Sequence, residues 1–164
     1  MKFLLAPIAW IYGFVVWLRN LLYDDHILHS TQVSIPTICV GNLAVGGTGK
    51  TPMAEYLISL LSSDYKVALL SRGYGRKTKG FRIANEHDTA QTIGDEPMQI
   101  HTHFPDIPVA VCADRVKGVK RLQQLYPDLQ CVILDDAYQH RKLRCGFYVL
   151  LTPYNRLYTN DHLL

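Results

Sequence analysis

The residues best suited to chemistry lie in GGTGKT (46–51), which follows the apolar run Thr37, Ile38, Cys39 and Val40 and precedes a helical pattern from Met53 onward. Strand, glycine-rich turn and helix together are what a triphosphate requires. Its oxygens need converging backbone N–H groups, which glycine supplies by taking positive φ with no Cβ in the way. They also need a helix N-terminus, whose unpaired N–H groups and positive dipole end favour an anion. The candidate ATP loop is therefore Ala44, Val45, Gly46, Gly47, Thr48, Gly49, Lys50 and Thr51. Lys50 reaches the β- and γ-phosphates and the Thr51 hydroxyl ligates Mg²⁺. The strict pattern asks for Gly where this chain has Ala44, a departure of one position.

A second apolar strand, within CVILDDAYQH (131–140), ends in Asp135 and Asp136. Downstream of a phosphate loop, with strand–helix units between, such a pair supplies a carboxylate that holds Mg²⁺ directly or through water. KVALLSRGYGRK runs from a short strand (67–70) into a loop carrying Arg72, Arg76, Lys77 and Lys79. Ligands of open parallel sheets bind beyond the carboxyl ends of the strands, so this basic loop is expected to face the same crevice. PVAVCAD (108–114) brings Asp114 and Arg115 to a further strand-to-helix corner. GDEP starts another helix, with Asp95 near the N-cap and Pro97 in the first turn, and from the residues alone Asp95 reads as a cap or as a catalytic carboxylate. His101 and His103 stand two apart, off a common helical face, and are not read as a metal pair.

The elements that must position these groups alternate. Strands at 37–40, 67–70, within 108–114, within 131–140 ending in the two aspartates, and at 146–153, with a short one within 81–86, are separated by helical patterns over 53–61, from Asp95 onward and over 116–125. That order predicts an α/β fold of the P-loop NTPase type, a mostly parallel sheet with helices on both faces.

Ahead of it, residues 3–18 carry no charge and would span roughly 24 Å as a helix, short of the about 30 Å hydrocarbon core. Trp10, Tyr12 and Trp17 favour an interface, so this hydrophobic N-terminal helix is read as dipping into one leaflet, the alternative being an ordinary buried helix. A polar connection is expected over 20–36. The domain division is thus 1–30, the membrane-associated helix, and 31–164, the core.

Composition sets limits. The 164 residues, 48% hydrophobic and 19% charged, suit one globular domain. A net charge of +3, with the cations beside a phosphate loop, gives little support for nucleic-acid binding. Four cysteines, with no C-x-x-C pair, read as small buried hydrophobes rather than a zinc site.

GNLAVGGTGKTP, LSRGYGRK, GDEP, ADRVKG and LDDAYQHRKL, in that order behind a hydrophobic segment, resemble tetraacyldisaccharide 4'-kinase, the lipid A kinase of Gram-negative bacteria. The family also carries a residue other than Gly at the Ala44 position. The resemblance implies transfer of the ATP γ-phosphate to the 4'-hydroxyl of an acylated glucosamine disaccharide 1-phosphate at the cytoplasmic face of the inner membrane. It implies that Asp95 accepts or orients the proton of the attacking hydroxyl, with Lys50 on the phosphates and Thr51 and Asp135 on Mg²⁺. Asp136, Gln139 and His140 complete the polar cluster at the metal, and Arg72, Tyr74, Arg76 and Arg115 meet the lipid headgroup.

Family members run to roughly twice this length, as a second domain requires. Their arginine–glutamate nucleotide motif and the histidine that partners the catalytic aspartate are expected beyond residue 164, so this chain alone is expected to contact nucleotide but be catalytically impaired. The competing expectations are a soluble P-loop ATPase that drives partner assembly and a nucleotide-binding fragment without catalysis.

Overall fold

The computed structural model describes residues 2–25, 27–42 and 49–153. The greater part of the candidate ATP loop, Ala44, Val45, Gly46, Gly47 and Thr48, lies outside the described residues.

The core is a six-stranded sheet ordered β4-β5-β3-β6-β2-β8. Its strands are β2 (Thr37–Asn42), β3 (Val67–Ser71), β4 (Arg82–Ile83), β5 (Val109–Val111), β6 (Cys131–Asp135) and β8 (Phe147–Leu151). All pairings are parallel except β4 with β5. The central strands β3 and β6 are buried at every position, as expected of strands covered on both faces. Side chains alternate across the sheet. Ala68 and Leu70 of β3, with Val132 and Leu134 of β6, meet Val116, Val119 and Leu122 of α5 (Arg115–Leu125) on one face. Leu69 and Ile133 turn to the other face and meet Ala54 and Ile58 of α2 (Lys50–Leu61) and Ile100 of α4 (Asp95–His103). The expected two-faced parallel sheet is what the chain forms, and the four cysteines are free and buried.

Two small features went unread in the sequence. A one-turn helix, α3 (Ala90–Ile93), precedes α4, and a parallel pair of two-residue strands, β1 (Thr31–Gln32) and β7 (Leu143–Arg144), stands apart from the main sheet.

The N-terminal helix also differs from expectation. α1 runs Lys2–Asp24, 23 residues, so the polar connection begins after Asp24 rather than at residue 20. Arg19 and Asn20 do not stop a helix, and Leu21, Leu22 and Tyr23 carry no breaker. Trp10, Phe14, Val15 and Trp17 are exposed on it. At about 1.5 Å per residue α1 is about 35 Å long, but its last turns carry Arg19, Asn20 and Asp24, and no helix among the described residues is long and apolar enough to cross a membrane.

Candidate active site

Parallel strands bring their carboxyl ends to one edge of the sheet, where a cavity of about 840 Å³ opens. Asn42 closes β2, Ser71 closes β3, Asp135 closes β6 and Lys50 begins α2, and all four line this cavity with Thr51. Gly49 caps α2 in the left-handed conformation at φ 81, and the first turn carries no acidic side chain. The positive end of the helix dipole is thereby left to an external anion.

Lys50 is held by polar neighbours on two sides. Its Nζ lies 3.2 Å from Asn42 Oδ1 and 3.7 Å from Asp136 Oδ1. Asp136 holds φ 49, the one positive φ outside glycine among the described residues, a conformation that aspartate tolerates better than most side chains. Next to it, Asp135 is 4% exposed. The Ser71 hydroxyl donates to its Oδ2 at 3.4 Å, while its Oδ1 has no partner among the described residues. Burial, then the charges of Asp136 and Glu96, outweigh Lys50 and Ser71 and push the Asp135 carboxyl up to about 6.

The cavity lining carries more cations than carboxylates, but Asp135 and Asp136 stand together beside Lys50 at the start of α2. The orphaned Asp135 oxygen and the Thr51 hydroxyl in the same cavity are oxygen donors of the kind that would hold a divalent cation. Among the described residues no group of three His, Cys, Asp or Glu converges as an all-protein metal site. Mg²⁺ in phosphate-transfer sites needs only one or two carboxylates, because phosphates supply the rest.

The structure separates the remaining sequence-read residues. Arg72, Tyr74, Gln139 and His140 line the cavity, as does Asp136. Burial, then Arg115, hold the His140 imidazole below its ordinary range, so it is neutral at pH 7. Arg115 also lines the cavity but is 3% exposed and braces the backbone, donating to the carbonyls of Cys112, Ala113 and Asp136. Arg76 is not brought to the cavity: it donates to Gly80 O at 2.6 Å and ties its own loop together. Asp95 is not the helix cap, since Gly94 occupies that position at φ 100 and ψ 159, a region open essentially only to glycine. Asp95 is exposed at the first position of α4, and Glu96, one residue on, is the GDEP carboxylate that lines the cavity.

Sequence reasoning missed Asn42, Ser71 and Glu96. The signal for the first two was their position, as the polar residues ending apolar strands whose carboxyl ends face the site.

A parallel sheet with a helix N-terminus, a lysine and a strand-end aspartate pair converging at its carboxyl edge defines a nucleotide-binding domain of the P-loop kinase class. Comparison with known proteins narrows this. The family model for LpxK, tetraacyldisaccharide-1-P 4'-kinase, matches residues 1–164, and the chain belongs to that family, as its motifs had suggested.

It is 52% identical over 161 residues to the tetraacyldisaccharide 4'-kinase of Flavobacterium johnsoniae, covering 98% of this chain and 47% of that protein. It is 50% identical over 161 residues to the enzyme of the same name from Bacteroides thetaiotaomicron, covering 98% of this chain and 42% of that one. The crystal structure of LpxK from Aquifex aeolicus in complex with ATP superposes with a TM-score of 0.80 at 39% identity, over 89% of this chain and 47% of that one. The chain thus spans about half the length of the relatives it matches.

Proposed function

We propose that this chain is the nucleotide-binding half of an ATP-dependent lipid kinase that phosphorylates the 4'-hydroxyl of a tetraacylated glucosamine disaccharide 1-phosphate. The observation that carries the reading is the convergence of Lys50, Asp135 and Asp136 at the mouth of α2 in a chain of this family. Phosphoryl transfer asks for positioning and charge neutralisation more than for covalent chemistry. Lys50 and the N–H groups at the start of α2 hold the β- and γ-phosphates in line. Thr51 and Asp135 would hold Mg²⁺, which when bound would supply charge neutralisation for the transferred group.

In the step itself a bond forms between the lipid 4'-oxygen and the γ-phosphorus as the bridging β–γ P–O bond breaks, and ADP leaves. Asp95, exposed at the start of α4 and outside the cavity lining, takes or orients the hydroxyl proton of an acceptor that approaches from solvent, as the resemblance implies, while Arg72 and Tyr74 face the anionic headgroup. The exposed aromatic side of α1 rests on the cytoplasmic face of the inner membrane, where a substrate of this kind is confined.

The test separates the two GDEP carboxylates in the chain carrying its natural C-terminal continuation. Asp95→Ala is expected to lower kcat for lipid phosphorylation by about 10²–10⁴-fold with ATP binding retained, the range for loss of a general base. Glu96→Gln is expected to shift the Mg²⁺ dependence instead. An Asp95→Ala enzyme with unchanged kcat removes that residue from the mechanism.

A further inference from the structure

The segment after the two aspartates is gripped at almost every step by α1 and the chain that follows it, and Arg19, Tyr23, Arg141 and Lys142, though not Asp24, also line the cavity. Arg19 of α1 donates to the Gln139 carbonyl at 2.8 Å. Arg141 donates to the Asn20 carbonyl at 3.1 Å, closing the last two turns of α1 onto the loop, and it pairs with Asp24. The Tyr23 ring lies beside both guanidiniums, 5.9 Å from that of Arg19 and 5.3 Å from that of Arg141, an arrangement in which cation–π attraction adds to the hydrogen bonds. Beyond the helix, the Ser30 hydroxyl donates to the Arg141 carbonyl at 2.6 Å and the Thr31 N–H to the Lys142 carbonyl at 2.7 Å. The pairing of β1 with β7 continues the seam.

The other end of this loop is Asp136, whose side chain faces Lys50 and whose backbone holds a left-handed turn. A left-handed turn at a non-glycine residue costs energy and persists only where the surroundings impose it. The imposed surroundings are Arg115 on the Asp136 carbonyl and the seam with α1. Along the rest of α1, Trp10, Phe14 and Trp17 are exposed rather than packed on the domain. The described polar contacts of α1 with the domain therefore fall on the loop that carries Asp136.

We propose that Arg141, with Arg19 and Asp24, is a positioning clamp through which α1 sets the place of the 136–142 loop, and with it the Asp136–Lys50 geometry. Seating of α1 on a lipid surface and binding of the nucleotide phosphates are then one coupled event. The coupling to lipid rests on the reading of α1 as a membrane-docking helix given above; the clamp itself rests on the contacts.

The experiment measures Mg²⁺–ATP affinity with a fluorescent ATP analogue, in the chain with its natural continuation. Wild type, Arg141→Ala, Arg141→Lys, Asp24→Asn and the Asp24→Asn/Arg141→Ala double variant are compared, with and without phosphatidylglycerol vesicles, and thermal midpoints are recorded beside each. Arg141→Ala is expected to weaken binding about tenfold, the scale of one charge-assisted hydrogen bond. Arg141→Lys is expected to recover part of that loss, and the double variant to bind no worse than Arg141→Ala, because the two residues act as a pair. Vesicles are expected to tighten binding in wild type and not in Arg141→Ala.

A folded Arg141→Ala protein with wild-type affinity overturns the proposal, as does a lowered thermal midpoint with affinity intact, which marks a purely structural role. Should Arg141→Ala fail to fold, Asp24→Asn decides: it alters an exposed helix end, and unchanged affinity and vesicle response there overturn the clamp. Failure of the kinase reading is seen separately, as absence of lipid phosphorylation by wild type.

Discussion

Lys50 is constrained from two sides, by Asn42 at the end of β2 and by Asp136 after β6, so little side-chain entropy is left to lose when phosphate arrives. A lysine held in this way is pre-organised. A buried carboxylate that does not line the cavity bears on stability. Asp88 is 4% exposed, and although burial alone would raise its carboxyl, hydrogen bonds from Arg82 and Thr92 and the Asn85 N–H together hold it below the ordinary 3.8. A carboxylate depressed in the folded state contributes stability above its unfolded pKa and loses it as pH falls through the folded value. Asp88→Asn is therefore expected to cost about 1–3 kcal/mol at pH 7, with the gap to wild type closing below about pH 4 in denaturant titrations. An equal gap at pH 3 and pH 7 would contradict this.

Lys50, Thr51 and Asp135 were legible in the sequence because their chemistry demands fixed spacing from a strand and a helix start. Asn42 and Ser71 carried a weaker signal, as polar residues ending apolar strands, and Glu96 carried none, because what selects it is where a helix start lies in space. The GDEP motif showed two carboxylates without showing which of them turns inward.

Strand ends and helix starts do the positioning, and Gly41 shows how tightly. A Cβ at Gly41 would stand 2.4 Å from the Cβ of Tyr138, in the loop after the aspartates. That atom is next to backbone and cannot swing aside, so β2 and the loop can approach only at glycine. Gly41→Ala is expected to destabilise the protein by about 1–3 kcal/mol, the usual cost of overpacking, and to weaken nucleotide binding by displacing the 136–142 loop. Thermal unfolding and nucleotide titration on one sample check both, and a variant that keeps wild-type values in each would show that the loop has slack.

Element types came through the sequence well because continuous apolar runs and 3.6-residue periodicity report burial directly. The length of α1 did not, since a change from apolar to polar residues marks the end of an apolar face and not the end of a helix. The β1–β7 seam was invisible for a different reason: its strands are too short to carry a pattern, and the chain that joins them runs through the whole fold.

At the scale of the molecule, the 164-residue chain spans about half the length of the relatives it matches. Among the described residues, the strand ends of the sheet, the α2 N-terminus and the aspartate pair meet at one cavity. α1 presents an aromatic surface along its outer turns and fastens its inner turns to the loop beside that cradle. A kinase whose acceptor stays in a bilayer needs both features in one body.

The most direct test of this account follows labelled γ-phosphate from ATP in the presence of a tetraacyldisaccharide 1-phosphate in detergent, using the chain with its natural continuation and the Lys50→Ala variant beside it. The account predicts label on the 4'-oxygen of the lipid, falling by at least about 10²-fold in Lys50→Ala as phosphate positioning is lost. Consumption of ATP with all the label in inorganic phosphate, and none on the lipid, would contradict it and make the protein a hydrolase of the same fold.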